Sequence, residues 1–231
     1  MFLAFVASFA FASDHLQLAE DLVDTVLPGN NVYASGVPVV VWEGTGSTAS
    51  VSANCSGLVN TIMSAAYPTL NMKSWMGCSR PIAQAWYDNI QAENHFIEIT
   101  NISDIAPGDV LVYSYQCANT TCGNSGSNCS TSGHVMIASS YATARVATAP
   151  LVAGTTQYEI AVIDSANSPH GSLDTRYLSA SNQDDTGVGE GILRLYANSS
   201  GGIEGYSWST ARGSTYYGSS TRPMVVGRYQ P

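Results

Sequence analysis

Three residues of this sequence have the types and settings to do chemistry together: a cysteine opening a helical pattern, a histidine opening a strand, and an aspartate on a later strand. Cys55 stands in "SANCSGLVNTIMSAAYP", where Leu58, Val59, Ile62, Met63 and Ala66 keep a period that predicts a helix over 55–66. The first backbone N–H groups of a helix have no partner within it and carry roughly half a positive charge. A thiol placed there ionises more readily, and the thiolate is the nucleophile. The small residues Ser56 and Gly57 would let a substrate backbone come close. A lone cysteine is also often just a small buried hydrophobe, so its partners have to decide.

His134 begins "GHVMIASS", and strand alternation puts it on the face of Met136 and Ala138. A cysteine at a helix start with a histidine at a later strand start is what nucleophilic catalysis needs. A third group should hold the imidazole. If "GHVMIAS" pairs antiparallel with "YEIAVID" so that 140 meets 158, Asp164 falls opposite His134. A slip of register would bring Ser165 or Val162 there instead. His170, with Asp174 and Arg176 in "SPHGSLDTR", is the reserve for the third place, against a reading of that segment as a solvated turn.

The elements that must position these residues read as follows. Helices are expected over 14–27, 55–66 and in "RPIAQAWYDNIQAE", where Pro81 suits the first turn. Strands are expected in "VPVVVWEG", "HFIEIT", "DVLVYSY", "GHVMIASS", "YEIAVIDSA", "GILRLYA" and "MVVGRYQ". Helices first and an antiparallel sheet afterwards is an α+β pattern. No linker or repeat divides the 231 residues, so one domain over 1–231 is expected.

A net charge of −9 with eight scattered Lys and Arg argues against nucleic acid, which needs clustered cations. "MFLAFVASFAFAS" ends in a small-x-small pattern, so residues 1–12 read as a signal segment for export; the run is too short to span a bilayer. Cys55 and Cys78 stand alone, while Cys117, Cys122 and Cys129 crowd a Gly/Ser/Asn/Thr loop over 116–132. C-x4-C-x6-C is not a standard zinc spacing, and His134 has a better use, so a disulfide within the loop is expected rather than a metal.

"NCSGLV", "IAPGDVLVY" and "GHVMIA", in that order, resemble the NlpC/P60 cell-wall hydrolases within the papain-like cysteine peptidases, whose usual pattern is D-C-S-G-L/F-V, then P-G-D-L/I, then G-H-V-x-I. The resemblance covers about residues 50–165. It implies a papain-like α+β core of N-terminal helices packed on an antiparallel sheet, with the Cys-rich loop as an insertion and 166–231 as a family-atypical extension of the sheet. It also implies Cys55 as nucleophile, His134 as base, Asp164 as the third polar residue, and an upstream aromatic, Tyr33 or Trp42, at the oxyanion site. The implied substrate is a peptide or related amide, bacterial wall peptides among them. Asn54 stands where the family has Asp.

The expected reaction is acyl transfer to water, needing no metal or cofactor. Cys55 attacks the carbonyl, His134 protonates the leaving amine and the Cys55 N–H donates to the oxyanion. The rival reading is a degenerate module that binds wall or glycan without hydrolysis, using Tyr206, Trp208, Tyr216 and Tyr217 of the tail. An intact Cys/His/Asp set favours the enzyme. Oligomeric state is not legible.

Overall fold

In the computed structural model, residues 13–44, 46–116, 132–177 and 185–231 are described. Segments 1–12 and 117–131 lie outside them, and so do the expected signal segment and the expected loop disulfide. Among the described residues four α-helices form: α1 (Asp14–Thr25), α2 (Cys55–Ala66), α3 (Met72–Met76) and α4 (Ala83–Gln91). A small sheet precedes α2, made of β1 (Asn31–Tyr33), β2 (Val39–Val41) and β3 (Ser50–Ala53), with β3 central and parallel to β1.

The remaining strands belong to one nine-stranded sheet: β4 (Phe96–Glu98), β5 (Val110–Ser114), β6 (Gly133–Ala138), β7 (Thr143–Ala144), β8 (Thr156–Ala166), β9 (Gly187–Ala197), β10 (Ile203–Ser207), β11 (Tyr216–Gly218) and β12 (Met224–Tyr229). Their order is β11-β10-β9-β8-β6-β5-β12-β4, with β7 pairing β8. Neighbouring strands in this sheet run antiparallel.

This corrects the expected papain-like α+β core. The molecule is mostly β. The reason lies in the C-terminal half, which supplies the two longest strands, β8 and β9, of eleven residues each. Nor does the tail simply extend one edge: β12 is inserted between β5 and β4.

Apolar residues line both faces of the sheet. Val110, Val112, Val135, Ile137 and Ile163 pack with the helices in one cluster. The alternating Leu111, Tyr113, Met136, Ala138 and Val162 join a second cluster on the other face. α2 is buried along most of its length, with Leu58, Val59, Ile62 and Met63 fully covered. His134 therefore lies on the face away from α2. It meets Cys55 only because both sit at ends of their elements.

The β6–β8 register also differs from expectation. Ile137 faces Ile163 and Ala138 faces Val162, two residues away from the alignment that would set Asp164 opposite His134. A shift of two keeps every side chain on its face. Asp164 thus becomes the diagonal neighbour of His134, still within reach.

Candidate active site

Asn54 sets the start of α2. Its side-chain oxygen accepts the backbone N–H of Gly57 at 2.8 Å and its carbonyl accepts that of Leu58. An asparagine cap does what the family's aspartate would do, without adding a negative charge beside the thiol. Ser165, the neighbour of Asp164, donates its hydroxyl to the carbonyl of Ala53 at 2.7 Å. That bond ties the approach to Cys55 directly to the strand carrying the carboxylate.

Gly57 is packed by protein: a Cβ there would stand 2.9 Å from the Asn54 side-chain oxygen and 3.2 Å from Pro38. Its small size admits Pro38, not a substrate backbone as the sequence suggested. Ser56 is buried as well.

Cys55 is buried and is the free cysteine among the described residues. Cys78 does not stand alone as its sequence spacing suggested, because it is disulfide-bonded. Burial pushes the Cys55 thiol up, but the His134 charge, a hydrogen bond from His134 and the Val135 backbone N–H together bring it below the ordinary value. The Val135 N–H is available for this because the β6–β8 ladder is paired only at residues 137 and 138 of β6.

His134 turns Nε2 to Asp164 Oδ2, at 2.5 Å, leaving Nδ1 for the thiol. Burial alone would lower its pKa, but the Cys55 and Asp164 charges and hydrogen bonds raise it to about 10. The favoured state of the pair is thiolate and imidazolium.

Asp164 is fully buried. Desolvation would push its carboxyl up, but Arg176, His170 and His134 hold it well below the ordinary range. Arg176 Nη2 lies 2.8 Å from Oδ1, and the same guanidinium grips Asp174 with Nε and Nη2 at 2.9 and 2.7 Å. His170 points Nε2 at Oδ2 from 3.0 Å and donates its Nδ1–H to the Trp208 carbonyl at 2.7 Å. The Trp208 ring stacks on His170 at 3.8 Å and meets His134 edge-on at 5.1 Å.

The reserve residue is therefore brought into the site, behind the carboxylate rather than beside the thiol. Asp174 and Arg176 are buried and not a solvated turn. Sequence reasoning missed Trp208 as a ring covering both histidines, and Arg176 as the counter-charge of Asp164. An Arg two residues after an Asp, following His170, was the available signal.

Tyr33 lies at the end of β1, in register with Ala53, two residues before Cys55. Burial, then the Cys55 and Asp164 charges, raise its hydroxyl to about 12, so it stays a donor. Trp42 instead donates its ring N–H to the Leu18 carbonyl. Of the rival module's aromatics, Tyr206 is buried in the sheet core. Among the described residues, no group of three or more His, Cys, Asp or Glu is arranged to hold a metal ion, and no helix is long and apolar enough to cross a membrane.

Fold and site together define a β-rich protein with a Cys–His–Asp arrangement at a helix start. The chain is 33% identical over 199 residues to Uncharacterized protein R653 of Acanthamoeba polyphaga mimivirus, an alignment covering 81% of this chain and 83% of that protein. The chain belongs to the family of that viral protein. No known family profile matches the chain, and no solved structure matches it.

Proposed function

We propose that this protein is a cysteine-dependent hydrolase of peptides or related amides. The observation that carries the reading is the buried line Cys55–His134–Asp164, in which the thiol lies below and the imidazole above its ordinary pKa. A structural cysteine has no use for that polarisation.

Cys55 thiolate would attack the carbonyl carbon, forming a carbon–sulfur bond and an oxyanion. The Cys55 N–H at the helix start and the Tyr33 hydroxyl would receive that oxyanion. His134 would give its proton to the leaving amine as the carbon–nitrogen bond breaks. It would then take a proton from the water that hydrolyses the thioester. Asp164 would hold the ring and balance its charge.

The likeness of "NCSGLV" and "GHVMIA" to NlpC/P60 motifs supports wall peptides as the substrate class, and the small-x-small end of residues 1–12 with the Ser/Thr-rich composition supports export. The test is labelling with a thiol-reactive amide mimic, followed by mapping of the modified residue. Labelling of Cys55 that is lost in His134→Ala supports the reading. An inert Cys55 overturns it.

A further inference from the structure

Arg222 follows β11 in a turn closed by the Gly218 carbonyl, and the next residue, Pro223, accepts the backbone N–H of Ser114 at 2.9 Å. Ser114 is paired with Gly133, the residue before His134. Arg222 is thereby fixed at the same end of the sheet as the catalytic histidine.

Its guanidinium lies over two rings, 3.7 Å from the centroid of Tyr217 and 4.7 Å from that of Tyr115. Tyr115 meets Tyr113 edge-on at 5.7 Å, and Tyr113 in turn stacks on His134 at 5.7 Å. Two aromatic rings therefore separate Arg222 from the imidazole, a distance a short extended peptide can bridge.

Arg222 has no acidic partner among the described residues. Arg145, Arg176 and Arg228, by contrast, are ion-paired. The charged or polar groups acting on Arg222 are the hydroxyls of Tyr206, Tyr115 and Tyr217. Residues 117–131, which follow Gln116 in the sequence, include no Asp or Glu. Arg194, buried and likewise without a carboxylate among the described residues, donates instead to the carbonyls of Ala149 and Ala211. The rings hold the guanidinium plane and the Tyr206 hydroxyl engages part of its N–H fork, so a planar carboxylate would take the N–H groups that remain.

We propose that Arg222, clasped by Tyr115 and Tyr217, binds a carboxylate of the substrate and so makes the enzyme selective for acidic peptides. The proposal rests on Cys55 as the nucleophile for its distance scale but not for the existence of the anion site. A carboxylate fits better than a phosphate dianion, because one cation in a chain of net charge −9 cannot balance two negative charges.

The test uses bromoacetyl peptides in which a glutamate or glutamine side chain stands one to four residues from the reactive carbon, each with an amidated C-terminus. A parallel set carries glutamine and a free C-terminal carboxylate. At one spacing a carboxylate should speed alkylation of Cys55 about tenfold over its matched amide, as one charge-assisted pair allows. Arg222→Gln should erase that difference while the melting temperature shows the fold intact. The set that responds tells a side-chain carboxylate from a terminal one. No advantage at any spacing, or an advantage that survives in Arg222→Gln, overturns the proposal.

A second measurement does not need a reactive thiol. In the Cys55→Ala protein, phenylglyoxal modification of Arg222 is mapped with and without acetylated versions of the same peptides. Protection by the carboxylate form alone supports the site, even if Cys55 proves inert in wild type and the hydrolase reading falls. Absence of protection, or better protection by inorganic phosphate, overturns the carboxylate assignment.

Discussion

His134 and His170 point their Nε2 atoms at one and the same carboxylate oxygen, Oδ2 of Asp164, from 2.5 and 3.0 Å. One histidine faces the thiol, and the other is locked under Trp208 by its bond to the backbone. The division of labour predicts different costs. Asp164→Asn should slow turnover by about 10²–10⁴, by analogy with the third residue of a serine triad. It should also lower stability by about 3–5 kcal/mol, because buried cations lose their counter-charge. His170→Ala should cost stability with a smaller loss of rate. Turnover and melting temperature of the two variants check this, and the reverse order would make His170 the residue that serves the thiol.

The Cys55 thiol titrates below its ordinary value and the His134 imidazolium persists to about 10. Between those limits the ion pair is the prevailing state. Cys55 should therefore react with iodoacetamide at pH 6 far faster than an ordinary thiol. Hydrolysis should fall away as pH rises through about 10, where His134 loses the proton it must donate. In His134→Ala only the Val135 N–H is left to oppose burial and the Asp164 charge, and the thiol should titrate above its ordinary value. Thiolate ultraviolet absorbance against pH reads both proteins.

Asn54 caps α2 without charge. Asn54→Ala should cost about 1 kcal/mol of stability and loosen the Cys55 backbone. Asn54→Asp should keep the cap and the melting temperature, yet raise the thiol titration by setting a carboxylate beside the developing thiolate. Alkylation rates across pH would separate the two effects. Identical profiles for Asn54→Asp and wild type would remove charge at the cap as a determinant.

A third buried histidine, remote from the site, carries its own pH dependence. His15 Nε2 donates to the Gly108 carbonyl at 2.7 Å, and Nδ1 accepts the Tyr67 hydroxyl at 2.8 Å. Desolvation lowers its pKa, with the Gly108 bond and the Asp109 and Asp14 charges opposing. Below about 6.5 the unfolded chain takes up a proton that folded His15 resists, so this contribution to stability is lost as pH falls. The melting temperature should drop more steeply from pH 7.5 to 5 in wild type than in His15→Gln. Parallel slopes would show that His15 does not set the acid limb.

Much of this was legible in residue patterns. The α2 boundaries and the nucleophile's place followed from apolar spacing, because a helix with one buried face writes its period into the sequence. The strands of the large sheet that carry His134 and Asp164 were found in the same way. β1 and β3 were not, since "NVY" and "SVSA" carry too few apolar residues to alternate. The β6–β8 register came out two residues away, and Asp164 still reaches His134 only because a slip of two preserves the face. Arg176 and Asp174 read as a surface turn because local sequence cannot reveal that Asp164 needs a counter-charge. Nothing local tells β12 which neighbours it will have, and the α+β expectation failed on such long-range pairings.

That insertion of β12 has a bearing on the order of events during synthesis. β5, which borders the His134 strand, can pair on its far side only with a segment translated after every other strand of the sheet. Until residues 224–229 leave the ribosome, β5 is a bare edge and Arg222 has no anchored turn. A nascent chain would therefore already carry Cys55 and His134 but lack the wall beside them. Closure of the sheet beside the His134 strand should come late in synthesis and in one step.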